Sequence, residues 1–273
     1  MTDHIKSEIK PIELTLKSEF KFKCHPGVSC FTNCCRNINI KLTPYDIITL
    51  KNKMGIDSSE FLAVYTTPNL LEKTDLPVVT LRMLDDERNS CPFVKDVEGC
   101  IVYEDRPTIC RYYPVGFGAL SHKMQEKNEK DGNNFFFLIQ EEMCKGHLED
   151  NVMTVGEWRE DQGINERDKI NAGWMDLVVR KQTTTTVMKF TEQSKKLFFM
   201  VCYNIDAFRR FVSKSGFKEM YNLDDTLLET FKDDIELLQF GFSWLKAMFF
   251  EVDPAGMFQV DQKTAEKRVN REQ

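Results

Sequence analysis

Four cysteines crowd into the short run Cys24-x5-Cys30-x3-Cys34-Cys35, and no other feature limits the fold as tightly. Cys91, Cys100, Cys110 and Cys144 follow, which leaves Cys202 as the ninth and last. Thiols at this density call for disulfides or metal, because thiolate is a soft ligand that zinc and iron–sulfur clusters prefer. An odd total leaves one cysteine over in any complete pairing. The opening MTDHIKSEIKPIEL has no apolar signal core, and no apolar run nears the ~18 residues of a membrane span. A cytoplasmic, reducing location is expected, where structural disulfides are rare. Metal is therefore favoured.

The first eight cysteines sit beside Pro, Gly and Asn, with Pro92 and Pro107 stiffening their loops, so simple burial does not account for them. Cys202, in FFMVCYNI on the apolar face of a helical pattern, reads as a core residue. A zinc ribbon would need two close C-x2-C pairs, which are absent. Adjacent Cys34 and Cys35 point apart on an extended strand but share one site in a tight turn. Two four-thiolate sites, one cluster with spare cysteines, and two clusters all stay open. Arg106 and Arg111 flank Cys110, where cations offset thiolate charge or pair with Glu104 and Asp105. His25 and His147 lie close enough in sequence to substitute as ligands, His147 being expected rather to support the ligands or to sit at the surface, and Tyr103, Tyr112 and Tyr113 are expected to pack around the site.

Along the chain, Thr43-Pro44-x-Asp46 predicts a helix start with Gly55 as its stop. A second short helix is expected after Asp57. Pro77 to Leu84 reads as a strand, Cys91 to Tyr103 as a hairpin, and VGFGAL with NNFFFLIQ as a strand pair turning at Asp131-Gly132. Thr154-x-x-Glu157 is a capping box for a helix continuing toward Trp174. Helices over Thr191 to Val212 and from Asp224 or Asp225 to Trp244 complete the pattern, and 260–273 is a polar tail. The expected fold is α+β: a small, irregular, metal-stabilised cysteine-rich domain over residues 1–150, then a helical region over 151–273.

The formal charge of −6 does not favour a nucleic-acid footprint. P-loop, HExxH, GxSxG, Rossmann and CxxxCxxC patterns are absent, and Gly116-Phe-Gly118 alone is too weak for a nucleotide site.

The run Cys91-Pro-Phe, Cys100-x2-Tyr103-x2-Arg106-Pro107-x2-Cys110-Arg111-x-Tyr113-Pro114 closely resembles the YkgJ-like cysteine-cluster family, described as zinc- or iron-chelating. The resemblance spans about residues 20–147. It implies eight metal-binding cysteines: Cys24, Cys30, Cys34, Cys35, Cys91, Cys100, Cys110 and Cys144. A related branch, the flagellin lysine-N-methylases, implies an iron–sulfur cluster assisting S-adenosylmethionine-dependent methyl transfer to protein lysines, although no S-adenosylmethionine motif is visible. The expected function is a metal-binding protein holding an iron–sulfur cluster or zinc. The alternatives are such a methyltransferase, acting on a protein substrate, and a metal chaperone or storage protein.

Overall fold

A computed structural model describes residues 7–9, 14–119, 134–183 and 190–258. The fold is α+β, with small sheets concentrated in the N-terminal part and helices toward the C-terminus. The expected division at residue 150 follows the chain, whereas the compact units do not. One unit joins residues 1–40 to 82–168; the other joins 41–81 to 169–273. All eight loop cysteines fall in the first unit.

In that unit, β1 (Ser7–Ile9), β9 (Asn134–Glu141) and β8 (Val115–Ala119) form an antiparallel sheet in the order β1-β9-β8. This is the strand pair expected from VGFGAL and NNFFFLIQ; its Asp131-Gly132 turn lies outside the described residues. β2 (Glu19–Lys21) pairs with β10 (Val152–Thr154), Phe20 facing Met153. β6 (Val94–Lys95) and β7 (Gly99–Cys100) make the short hairpin expected over Cys91 to Tyr103. Between these ladders lies an aromatic core of Phe20, Phe22, Tyr112, Phe136 and Trp158. Trp158 meets Phe20 and Phe22 edge-on, at 6.1 and 5.5 Å between ring centres, the geometry that ring quadrupoles favour. Tyr113 and Cys144 pack against this core, which ties the Cys144 segment to it.

A buried polar group fixes one edge of it. Arg159 donates to the Tyr112 hydroxyl at 2.9 Å and to Asp168 at 2.7 Å, and Tyr112 itself donates to Asp168 at 2.5 Å. A buried charge persists only when paired and hydrogen-bonded in this way. The arrangement anchors the short helix α3 (Thr108–Tyr112), which carries Cys110.

In the second unit, α1 (Pro44–Met54) starts and stops as its sequence predicts. Thr43 and Asp46 form a full capping box, and Gly55 ends the helix at φ 66°, a conformation that suits glycine. Asp57 caps α2 (Ser58–Tyr65). The strand β5 (Pro77–Leu81) lies between β3 (Lys41–Leu42) and β4 (Thr66–Leu70). Three of the expected long helices are each two. Gly163 at φ 63° separates α4 (Val155–Asp161) from α5 (Ile164–Thr183). Asn204 ends α6 (Glu192–Tyr203) and caps α7 (Ile205–Val212). The stretch after Asp224 divides into α9 (Asp225–Thr230) and α10 (Asp234–Phe250), following α8 (Ser215–Tyr221). Cys202 is 3% exposed, a core residue as expected. No described helix is long and apolar enough to cross a membrane.

Candidate metal centre

The segment holding Cys30, Cys34 and Cys35 is a series of tight turns. Phe31, Asn33 and Cys35 donate their N–H groups to the carbonyls of Val28, Cys30 and Thr32. Thr32 takes the left-handed conformation, φ 66°, ahead of a 3-10 turn over Asn33–Cys35. Adjacent thiols are thereby turned to the same side, with Cys34 Sγ 4.0 Å from Cys35 Sγ. The alternative of an extended strand, with the two thiols pointing apart, is not what forms.

Further elements bring Cys91, Cys100, Cys24 and Cys144 toward this turn. Cys91 N–H donates to the Cys35 carbonyl at 2.8 Å, and Asn37 N–H to the Asn89 carbonyl at 3.0 Å. This miniature ladder, with an antiparallel bridge between Arg36 and Ser90, sets Cys91 beside Cys35. The β6–β7 hairpin carries Cys100. On the opposite flank, Lys23 N–H donates to the Gly146 carbonyl at 3.0 Å, which aligns Cys24 with Cys144. Lys145 N–H donates to Cys30 Sγ at 3.1 Å.

Mutual electrostatics report the outcome. Burial pushes the Cys24 thiol up to about 11; the sulfurs of Cys34, Cys30 and Cys144 add to this, and Arg106 opposes it. Burial likewise pushes Cys91 up to about 11, with Cys100 and Cys34 adding. Cys34 is held far above the ordinary thiol range, first by its hydrogen bond with Cys35, then by burial, by the Cys35 charge and by Glu141. Cys34 is nonetheless an exposed residue. Burial also raises Cys100 and Cys144, and both feel Cys34. Cys34 thus joins two groups of thiols, Cys24, Cys30 and Cys144 on one side and Cys91 and Cys100 on the other. Cys110 lies one helical turn beyond Arg106, half-buried in α3.

The donor set suits a thiolate-bound metal. Backbone N–H groups serve several sulfurs: Phe93 and Val94 toward Cys91, Val102 toward Cys100, Gly146 toward Cys144. Such bonds stabilise the anionic form of a ligand sulfur. The Tyr113 hydroxyl is buried without a partner of full hydrogen-bond geometry. The sulfur beside it is that of Cys144, close enough to be pulled toward the thiolate by the phenol. Among the described residues, no three His, Cys, Asp or Glu side chains already enclose a single ion. Thiolates converge fully only against a cation's charge.

The two arginines part company. Arg106 acts on Cys24 and Cys100, lies 3.9 Å over the Tyr103 ring and donates to Gln162. Arg111 instead donates to the backbone carbonyls of Gln162 at 2.7 Å, Arg106 at 3.3 Å and Glu104. It is a clamp on the loop before α3. The histidines are committed elsewhere. His25 accepts from Gly27 N–H through Nδ1 and meets Glu149 through Nε2, while His147 Nε2 donates to the Ile139 carbonyl.

Sequence reasoning missed Gly146, Arg36, Glu141 and Met143. A Cβ on Gly146 would stand 2.8 Å from the Phe22 ring and 2.9 Å from the Lys23 carbonyl, so only glycine lets the segments bearing Cys24 and Cys144 approach. Arg36 donates to Asn33 at 3.1 Å and pairs with Asp96 of the hairpin. Glu141 and Met143 border a cleft of about 240 Å3 that opens on Cys34. No sequence pattern marks any of the four.

Converging loop thiols, N–H donors to sulfur and one neighbouring guanidinium define a metal-chelating cysteine domain built on an aromatic core. Residues 23–145 match the family described as "Putative zinc- or iron-chelating domain". This segment is thus similar to that cysteine-cluster family, and the match begins and ends one residue outside Cys24 and Cys144. It reaches the chelating domain alone and gives no support to a likeness to flagellin lysine-N-methylases. No curated protein and no solved structure matches the chain.

Proposed function

We propose that this chain is a metal-binding protein whose eight cysteines, Cys24, Cys30, Cys34, Cys35, Cys91, Cys100, Cys110 and Cys144, hold an iron–sulfur cluster, with zinc as the competing occupant. The observation that carries the reading is the place of Cys34, 4.0 Å from Cys35 and electrostatically coupled to thiols on both flanks. Around a tetrahedral ion with metal–sulfur bonds of about 2.3 Å, two ligand sulfurs stand about 3.8 Å apart. The Cys34–Cys35 pair already has nearly that spacing. Iron–sulfur is preferred because the remaining thiols come from widely separated loops, an arrangement that suits a cluster better than a finger.

In this reading the residues divide the work. The eight cysteines supply sulfur, the backbone N–H groups and Tyr113 stabilise anionic sulfur, and Arg106 offsets part of the accumulated charge. Anaerobic purification with iron, zinc and sulfide analysis tests it. Brown protein carrying iron and acid-labile sulfide agrees; colourless protein with stoichiometric zinc removes the cluster and keeps the chelating site.

A second reading, metal transfer, is supported by the exposure of Cys24 and Cys34. Such thiols are open to exchange with an acceptor. Weak, readily reversible binding would favour it over a resident centre.

A further inference from the structure

The cleft beside Cys34 is lined by Cys34, Arg36, Asn37, Asn39, Glu141 and Met143, with Ile38 at its edge. Three of these carry metal-binding atoms of different hardness: a thiol, a carboxylate and a thioether. Arg36 is the opposing charge, its guanidinium held by Asn33 and by Asp96, which Arg88 also contacts; Glu141 is the carboxylate among the lining residues. Glu141 also bears on the Cys34 sulfur electrostatically. By contrast Cys91, on the far side of Cys34, is 7% exposed.

We propose that this cleft is the entry port of the metal centre, where Glu141 captures an incoming divalent cation and passes it to Cys34. The inference rests on the chelating reading above. A carboxylate at the mouth of a cleft raises the local cation concentration and the association rate, and salt weakens that effect. Glu141 is hard and Cys34 soft, so a borderline cation held loosely by the first moves to the second. Each thiol gives up its proton to solvent on ligation; the metal keeps its oxidation state.

The test is stopped-flow mixing of the reduced, metal-free full chain with cobalt(II) alone, read by thiolate-to-cobalt charge-transfer absorbance. Glu141→Gln is expected to slow association roughly threefold or more at low salt, with the deficit shrinking as salt rises and the final cobalt stoichiometry unchanged. Glu141→Lys is expected to be slower still, and Glu142→Gln, an exposed neighbour outside the cleft, to match the wild type. An unchanged rate in Glu141→Gln, or equal slowing by Glu142→Gln, overturns the port. A lower stoichiometry in Glu141→Gln also overturns it, because Glu141 is then a resident ligand. A wild type that takes up no cobalt overturns the port, whereas only protein free of iron, zinc and sulfide after anaerobic purification defeats the chelating reading, which separates the two failures.

Discussion

Cys34 Sγ lies 4.0 Å from Cys35 Sγ, because the left-handed Thr32 and the 3-10 turn after it bring neighbouring side chains to one face. Cys34 is electrostatically coupled to thiols of both flanks, while the Cys35 carbonyl receives Cys91 N–H. One residue organises the sulfur electrostatically, and the next organises the backbone.

Removal of Cys34 should therefore cost more than removal of a peripheral cysteine. Cys34→Ser is expected to lower metal content severalfold more than Cys24→Ser, by elemental analysis of protein purified anaerobically. Cys202→Ala should leave metal content unchanged and cost about 1 kcal/mol in denaturant unfolding, as a small buried truncation does.

Arg106 and Arg111 should separate by phenotype. Arg106→Ala removes a cation that favours ionised Cys24 and Cys100, so metal affinity near neutral pH is expected to fall about tenfold. Raising the pH should restore part of it, since proton competition weakens. Arg111→Ala cuts three bonds to backbone carbonyls and should act on stability, by about 1–3 kcal/mol. Competition titration against a chromogenic chelator, beside denaturant unfolding, distinguishes them.

Gly146→Ala tests the approach of the segments bearing Cys24 and Cys144. The added methyl meets the Phe22 ring at 2.8 Å and the Lys23 carbonyl at 2.9 Å. Lower metal affinity with the far-UV signal retained is the expected result. Unchanged binding would show that the Lys23–Gly146 contact does not hold the site together.

How much of this was readable in advance depends on the range of the interactions. The helix Pro44–Met54 was legible because Thr43, Pro44, Asp46 and Gly55 act within a turn of the termini they define. The capping box at Thr154 was legible for the same reason. The breaks at Gly163 and Asn204 were not, since the apolar spacing runs straight through both. The grouping of residues 41–81 with 169–273 is a matter of long-range packing that periodicity does not encode. For the site, the number and loop placement of the cysteines pointed to metal. The central position of Cys34, the diversion of Arg111 and the cleft at Glu141 depend on contacts between loops far apart in sequence.

Asp57 offers a pH test in the second unit. Burial pushes its carboxyl up, but the Ser59 N–H and Arg210 outweigh that and hold it below the usual range. A depressed carboxylate stabilises the fold above its unfolded value of about 3.9, and that contribution disappears as pH falls through the lower folded value. Asp57→Ala should thus cost about 1 kcal/mol near pH 7. The difference from wild type should close at the acid end of a series of urea melts. A constant difference across that range would refute the assignment.

The most direct measurement of the central claim is metal and acid-labile sulfide content of the full chain purified anaerobically, alongside Cys34→Ser and Cys202→Ala. The account predicts iron with sulfide in the wild type and in Cys202→Ala, and its loss in Cys34→Ser. Wild-type protein free of iron and zinc, or Cys34→Ser with undiminished metal, would contradict it.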